Sequence, residues 1–286
     1  MRRSFLLFDE NNQPTKNFTR FMKEVQIPGN DLVTIDEALQ ARFFQRGVDN
    51  QPLERWELKE VKVSCPRARF ARHLKLCGFS METIPSKWEY DRAVWPGALL
   101  VRAVERLRDL RDAWDSGVRW KETIVLGGKR PLLERETPQE AWELWGDYMS
   151  RPTVSSFREL GVETELGMMR WLWQVGGEEL PEDFASTFVF VDAPMKPPAT
   201  PGDPPVRPST EDTIRAWLET NPSPGSLLLS SGAPYGMAQD EALWMLLNPH
   251  GHTIETFGHM APNLSVEVFM REVAGVVNRI RRARGV

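Results

Sequence analysis

The spacing of apolar and polar residues changes rhythm along the chain. From Trp120 onward, short apolar runs alternate with amphipathic stretches. Thr123-Ile-Val-Leu126, Thr187-Phe-Val-Phe-Val191, Gly225-Ser-Leu-Leu-Leu229 and His252-Thr-Ile-Glu-Thr-Phe257 have the length and composition of buried strands. Between and after them the spacing predicts helices opening at Thr137-Pro138, over Glu163–Val175, from Ser209 to about Thr220, over Tyr235–Leu247 and over Ser265–Arg282. The last carries an apolar stripe of Val266, Phe269, Met270, Val273, Val276, Val277 and Ile280. Strands that alternate with helices predict crossover connections. The expected fold class is α/β, a Rossmann-like, mostly parallel sheet with helices on both faces.

Upstream, Leu99, Leu100, Ala103, Val104, Leu107, Leu110 and Trp114 recur at helical spacing, which predicts one long helix over Ala93–Trp114. The first 92 residues read as an α+β extension. Thr34-Ile-Asp-Glu37 resembles a capping box that opens a helix through Phe44. Trp56–Val63 alternates as a half-buried strand does, and Ala68–Leu76 reads as a helix ended by Gly78. The expected division is therefore 1–92 and 93–286. Seven prolines between Pro194 and Pro208 exclude helix and central strand there and predict a surface loop.

Composition narrows the function classes. A formal charge of -4 over 286 residues gives no general attraction to nucleic acid, and the basic run Arg67, Arg69, Arg72, His73, Lys75 reads as a solvated helix face. The two cysteines, Cys65 and Cys77, form neither a metal motif nor a disulfide framework. No run approaches the roughly 20 apolar residues that cross a bilayer. A cytoplasmic protein without a membrane partner is expected. Tryptophans such as Trp142, Trp145, Trp171, Trp173 and Trp217 fall in helical patterns and are assigned to the core.

Ligands of an open parallel sheet bind beyond the carboxyl ends of its strands. That rule selects Gly127-Gly128, where backbone can approach a ligand, and Lys129-Arg130, which can neutralise anionic oxygens. It also selects Asp192, which ends a strand, and the helix opening that carries Arg207 and Thr210. Ser230-Ser231 precedes a helix that bears Tyr235 and Gln239 one turn apart. His259 follows the last strand and Gly258 and is, with Asp192, a candidate proton carrier. The loop is neither a G-x-G-x-x-G nor a P-loop, and no G-x-S-x-G elbow occurs, so neither a cofactor nor a nucleophile class follows. His250 and His252 belong to the turn before a strand, at the opposite edge.

Val125-Leu-Gly-Gly128, Glu163-Thr-Glu165, Arg207-Pro-Ser-Thr-Glu-Asp-Thr213, and Leu228-Leu-Ser-Ser231 with Tyr235 together resemble motifs of the YdcF/SanA/ElyC-like family of Rossmann-type proteins. The likeness covers about Lys121–Arg282 and departs from the family where its usual His and Arg are replaced by Tyr235 and Gln239. It implies a Rossmann-type fold and a site at the same sheet edge. One member is similar to a nucleotide or S-adenosylmethionine binder. Several members carry a membrane segment tied to the bacterial envelope, a role not carried over here. The expectation is an enzyme of undetermined reaction that binds a small anionic, nucleotide-like or phosphorylated ligand. The alternatives are a non-catalytic binding module and a protein-interaction scaffold.

Overall fold

The computed structural model describes residues 3–44, 58–60, 63, 65–80, 82–146, 149–176, 180–185, 187–198, 202, 205–259 and 265–286. In chain order the helices and strands are α1 (Lys16–Glu24), α2 (Leu32–Phe43), α3 (Arg67–Leu76), β1 (Glu89–Pro96), α4 (Leu100–Asp115), β2 (Arg119–Gly128), α5 (Pro138–Trp145), α6 (Glu165–Gly176), α7 (Glu182–Ala185), β3 (Phe188–Ala193), α8 (Thr210–Leu218), β4 (Ser226–Ser230), α9 (Tyr235–Leu247), β5 (Thr253–Phe257) and α10 (Val266–Arg284). They fall into two compact units. A helical unit takes Met1–Thr83, Gly232–Met245 and His259–Val286, and a sheet unit takes Ile84–Ser231 and Leu246–Gly258.

The long helix expected over Ala93–Trp114 is two elements. Pro96 and Gly97 end a strand, and α4 begins three residues later. The strand, β1, lies at the centre of the sheet, where Ala93, Val94 and Trp95 are buried. A Pro-Gly pair cannot continue a helix, and it was the signal outweighed by the apolar spacing on either side. The boundary expected between residues 92 and 93 consequently falls inside β1.

Among the described residues the sheet has the order β3-β2-β1-β4-β5, with every neighbouring pair parallel. The chain steps outward from β1 to β3 and then returns to β4 on the other side of β1. That reversal places a topological switch between β1 and β4, where Rossmann-type sheets open a crevice. Two glycines show that both faces are covered. A Cβ on Gly127 would meet Leu166 of α6 at 2.6 Å, and one on Gly128 would meet Pro208, just before α8, at 2.4 Å. Consecutive strand residues point to opposite faces, so α6 and the α8 lead-in lie on opposite sides. The described residues of Pro194–Pro208 form no helix or strand, and Lys196 and Val206 exchange paired backbone bonds (2.8 and 3.0 Å).

The amino-terminal ends of the strands are tied by side chains. Asp91 accepts from Ser226 N (2.9 Å) and Ser226 Oγ (3.0 Å) and pairs with Lys121 Nζ (3.0 Å). The Ser226 amide, then Lys121, hold its carboxyl down at about 2. Glu255 accepts from Ser86 N (2.6 Å), Ser86 Oγ (2.8 Å) and Tyr90 Oη (2.7 Å). Burial, reinforced by the bond to Glu255, pushes the Tyr90 hydroxyl up to about 12.

The helical unit packs α1, α2, α3 and α10 around Phe18, Phe21, Leu39, Phe70, Val273 and Val277. The α2 cap differs from expectation: Asp31 is the N-cap, and Thr34 is the residue that closes the box. Asp36, buried in α2, receives Arg281 Nη1 (3.1 Å) and Asn278 Nδ2 (3.2 Å) from α10. Before β1, the regular elements among the described residues of the amino-terminal segment are helices, and Phe8 and Pro14 form an isolated bridge. Of the strand expected over Trp56–Val63, only 58–60 and 63 are described, and these form no strand; the rest lies outside the described residues. No helix among the described residues is long and apolar enough to cross a membrane.

His252, in the sheet unit, is 1% exposed, lies with its ring tilted at 44° and 5.3 Å from that of Trp217, and has neither ring nitrogen hydrogen-bonded among the described residues. Burial, with Arg92 nearby, lowers its pKa below the ordinary 6.5. The unfolded chain therefore takes up this proton more readily than the folded one. Stability should be intact above pH 6.5 and fall as pH drops below it toward the folded-state pKa. Urea unfolding of His252→Phe from pH 7.5 to 5 should show a shallower acid slope than the wild type; an unchanged slope removes His252 from the account.

Candidate functional site

The strands are parallel, so Pro96, Gly128, Ala193, Ser230 and Phe257 all end at one edge. There the chain builds a buried network around Arg130, which is 7% exposed. Its guanidinium forms a two-pronged pair with Glu136: Nη1 to Oε2 at 2.8 Å and Nη2 to Oε1 at 3.0 Å. Nε reaches Glu165 Oε1 at 3.3 Å, and Nη2 donates to Ala98 O at 3.3 Å.

Glu136 is also the anchor of a helix. Its Oε1 accepts from Leu100 N (2.9 Å), the first amide of α4, and its Oε2 from Leu133 N (2.8 Å). Four donors thus converge on one carboxylate. The α4 cap position is Leu99, which has no side chain able to accept, so Glu136 from another segment does that work. Glu165, the first residue of α6, is placed by packing. Gly127 lets Leu166 sit on β2, and Gly97 leaves room for the neighbouring carboxylate, since a Cβ there would lie 2.5 Å from Glu165 Oε2. Its side chain is 12% exposed, and among the described residues its one hydrogen-bonded partner is Arg130 Nε. Burial pushes the Glu165 carboxyl above the ordinary range, against the pull of Arg130 and Arg207 and with the help of Glu136. One guanidinium faces two carboxylates, so a negative charge is left over, and Glu165 is the member that most readily holds a proton.

At the switch between β1 and β4, Arg106 fills the space. Its Nη1 donates to Pro96 O and Gly97 O, both at 2.9 Å, and its own carbonyl accepts from Ser230 Oγ at 2.9 Å. Ser231 is buried, with its Oγ unpartnered among the described residues.

Several residues singled out from the sequence have other work. Arg130 is a buried structural cation and is not presented to a ligand. Gly127 and Gly128 accommodate Leu166 and Pro208, so the room beside them is taken by protein. Ser230 is spent on the α4 backbone. Tyr235 is buried against Val268 in the helical unit, where Gln239 Oε1 is buried without a hydrogen-bond partner among the described residues. His259 is exposed and belongs to that unit, whereas Asp192 belongs to the sheet unit. Lys129 and Asp192 do come together on the rim, 3.9 Å apart and each about half exposed. Arg207 is exposed yet near enough to act on Glu165, and Thr210 begins α8 beside the Ser209–Asp212 capping box.

Glu136 and Glu165, the carboxylates at the heart of this network, were not among the residues that the strand-end rule selected. The available signal was their number: three carboxylates, Glu134, Glu136 and Glu140, crowd the segment after Lys129-Arg130. No family model matches the chain, and no curated protein or solved structure matches it.

Arg130→Ala tests the network. Removing the guanidinium strands two buried carboxylates, and urea denaturation should register a loss of about 3–5 kcal/mol. Lys129→Ala, on the exposed rim, should change stability by no more than about 0.5 kcal/mol. Equal effects of the two substitutions would contradict the network.

Proposed function

We propose that the sheet unit is an enzyme module acting on a small anionic, nucleotide-like or phosphorylated ligand at the C-terminal edge of its sheet. Glu165 carries the proton in this reading. The observation behind it is the mismatch within the network: Glu136 accepts four hydrogen bonds, while Glu165 has one, at 3.3 Å, and a raised pKa. A buried carboxyl with a raised pKa and few hydrogen bonds, at the edge of a parallel sheet where ligands ordinarily bind, matches the profile of a general acid or base.

Lys129 and Arg207 supply positive charge on the rim for the anionic end of the ligand, and Asp192 orients Lys129. Arg130 acts indirectly, by holding Glu165. The resemblance to YdcF/SanA/ElyC-like proteins supports the same edge of the sheet, and the two unpaired cysteines suit a cytoplasmic setting. One observation favours a second reading. Glu136 and Arg106 already occupy the switch region, as they would in a non-catalytic binding module or scaffold.

The test is thermal unfolding against nucleotides, S-adenosylmethionine and sugar phosphates, followed by assay of any ligand that binds. A ligand at 100 times its Kd should add about 2.7 kcal/mol of stability. Glu165→Gln should keep the binding shift and lose turnover, together with the limb of the pH–rate profile that lies above the ordinary carboxyl value of 4.5. Binding without turnover in the wild type would favour the non-catalytic module. Full turnover in Glu165→Gln would remove Glu165 from the chemistry.

A further inference from the structure

We propose that Glu136 is the resident anion of the α4 amino terminus and thereby sets the ligand class. It bars a dinucleotide or other pyrophosphate ligand from the first strand-to-helix turn, and the anionic end of the ligand is left to the β2–β3 side, at Lys129 and Arg207. The proposal builds on the reading above and refines the ligand.

In an open sheet of order 3-2-1-4-5, the turn after β1 is where a pyrophosphate ordinarily meets the free amides of the following helix. Here that turn is Gly97-Ala98-Leu99, and the helix is the 16-residue α4. The ingredients of an anion cradle are present. Leu100 N and Leu133 N converge with both prongs of the Arg130 guanidinium, all four at 2.8–3.0 Å from a carboxylate. That carboxylate is the protein's own. It is 4% exposed, so an incoming phosphate would have to evict it and break all four bonds.

Two neighbours close the turn further. Arg106 holds the carbonyls of Pro96 and Gly97, which fixes the backbone that would otherwise wrap a pyrophosphate. Glu165 Oε2 lies so close to Gly97 that even a Cβ there would sit 2.5 Å away, so a second carboxyl group borders the same turn and takes up its room. A phosphate would meet two carboxyl groups at the place where a dinucleotide-binding protein offers none. On the other side, Lys129 is half exposed and its link to Asp192 is long, at 3.9 Å, so it can turn to a ligand at little cost.

The amide of Leu100 reports on the proposal directly. In the wild-type protein, its NMR shift and hydrogen-exchange protection should not respond to inorganic pyrophosphate or NAD. A saturable response would overturn the proposal, because Glu136 would then be displaceable. In Glu136→Ala the cradle opens, and inorganic phosphate should shift the Leu100 amide with an affinity about tenfold or more above that of the wild type. If the alanine variant does not fold alone, refolding in acetate or phosphate should restore it by filling the cradle, and Glu136→Gln, which keeps the shape, serves as the folded control. A folded Glu136→Ala whose Leu100 amide ignores phosphate would overturn the idea that Glu136 occupies an anion site. These readouts need no turnover, so they can fail while Glu165 is upheld, and the reverse.

Discussion

One guanidinium joins the pieces of the C-terminal edge. Arg130 lies between the turn after β1, through Ala98 O; the segment before α5, through Glu136; and the start of α6, through Glu165. Burying three charges is expensive. The arrangement is sustained because Glu136 is satisfied on both oxygens and the guanidinium is used along its whole fork. The cost that remains is concentrated on Glu165, the partner with the fewest bonds. The imbalance that makes Glu165 chemically interesting thus follows from how the edge is held together.

The network in turn rests on the absence of side chains. Leu166 must reach β2 for α6 to begin where it does, and only a glycine at position 127 permits that approach. Gly128 does the same for Pro208 on the other face, which sets the entry of α8 and with it the position of Arg207. The Gly-Gly pair contributes to the site by seating the elements that carry Glu165 and Arg207, not by exposing its own backbone to a ligand. A glycine pair at a strand end can act through packing and not through an exposed backbone.

That distinction explains what was legible in the sequence. Strand–helix alternation from Trp120 onward reports local hydrophobic spacing, and β2 to β5 with α9 and α10 appear close to where that spacing puts them. The central strand was hidden because Ala93–Trp95 adjoins an apolar spacing that extends a helix pattern backward through Pro96-Gly97. Rim residues such as Lys129 and Asp192 could be placed by rule, since they follow strand ends. The roles of Glu136, Glu165 and Arg106 could not. Each depends on contacts between segments far apart in the chain, such as Glu136 with Leu100 or Arg106 with Ser230, and these carry no local signature.

The two edges of the sheet unit differ in how fully their charged groups are paired. At the amino-terminal edge, charged groups are closed off by strong local partners: Asp91 by Ser226 and Lys121, Glu255 by Ser86 and Tyr90. The unpaired His252 there is neutralised by burial against Trp217 and adds acid sensitivity to the fold. At the carboxyl edge, one carboxylate is left short of donors beside exposed cations. Pairing it fully would demand another donor; among the described residues it has Arg130 Nε, while the Leu100 and Leu133 amides are taken by Glu136. In the proposed reading, the same contacts that close the first turn against a pyrophosphate leave Glu165 as the carboxyl that exchanges a proton. A gain in stability at that edge, by pairing Glu165, would come at the expense of the proton exchange proposed for it.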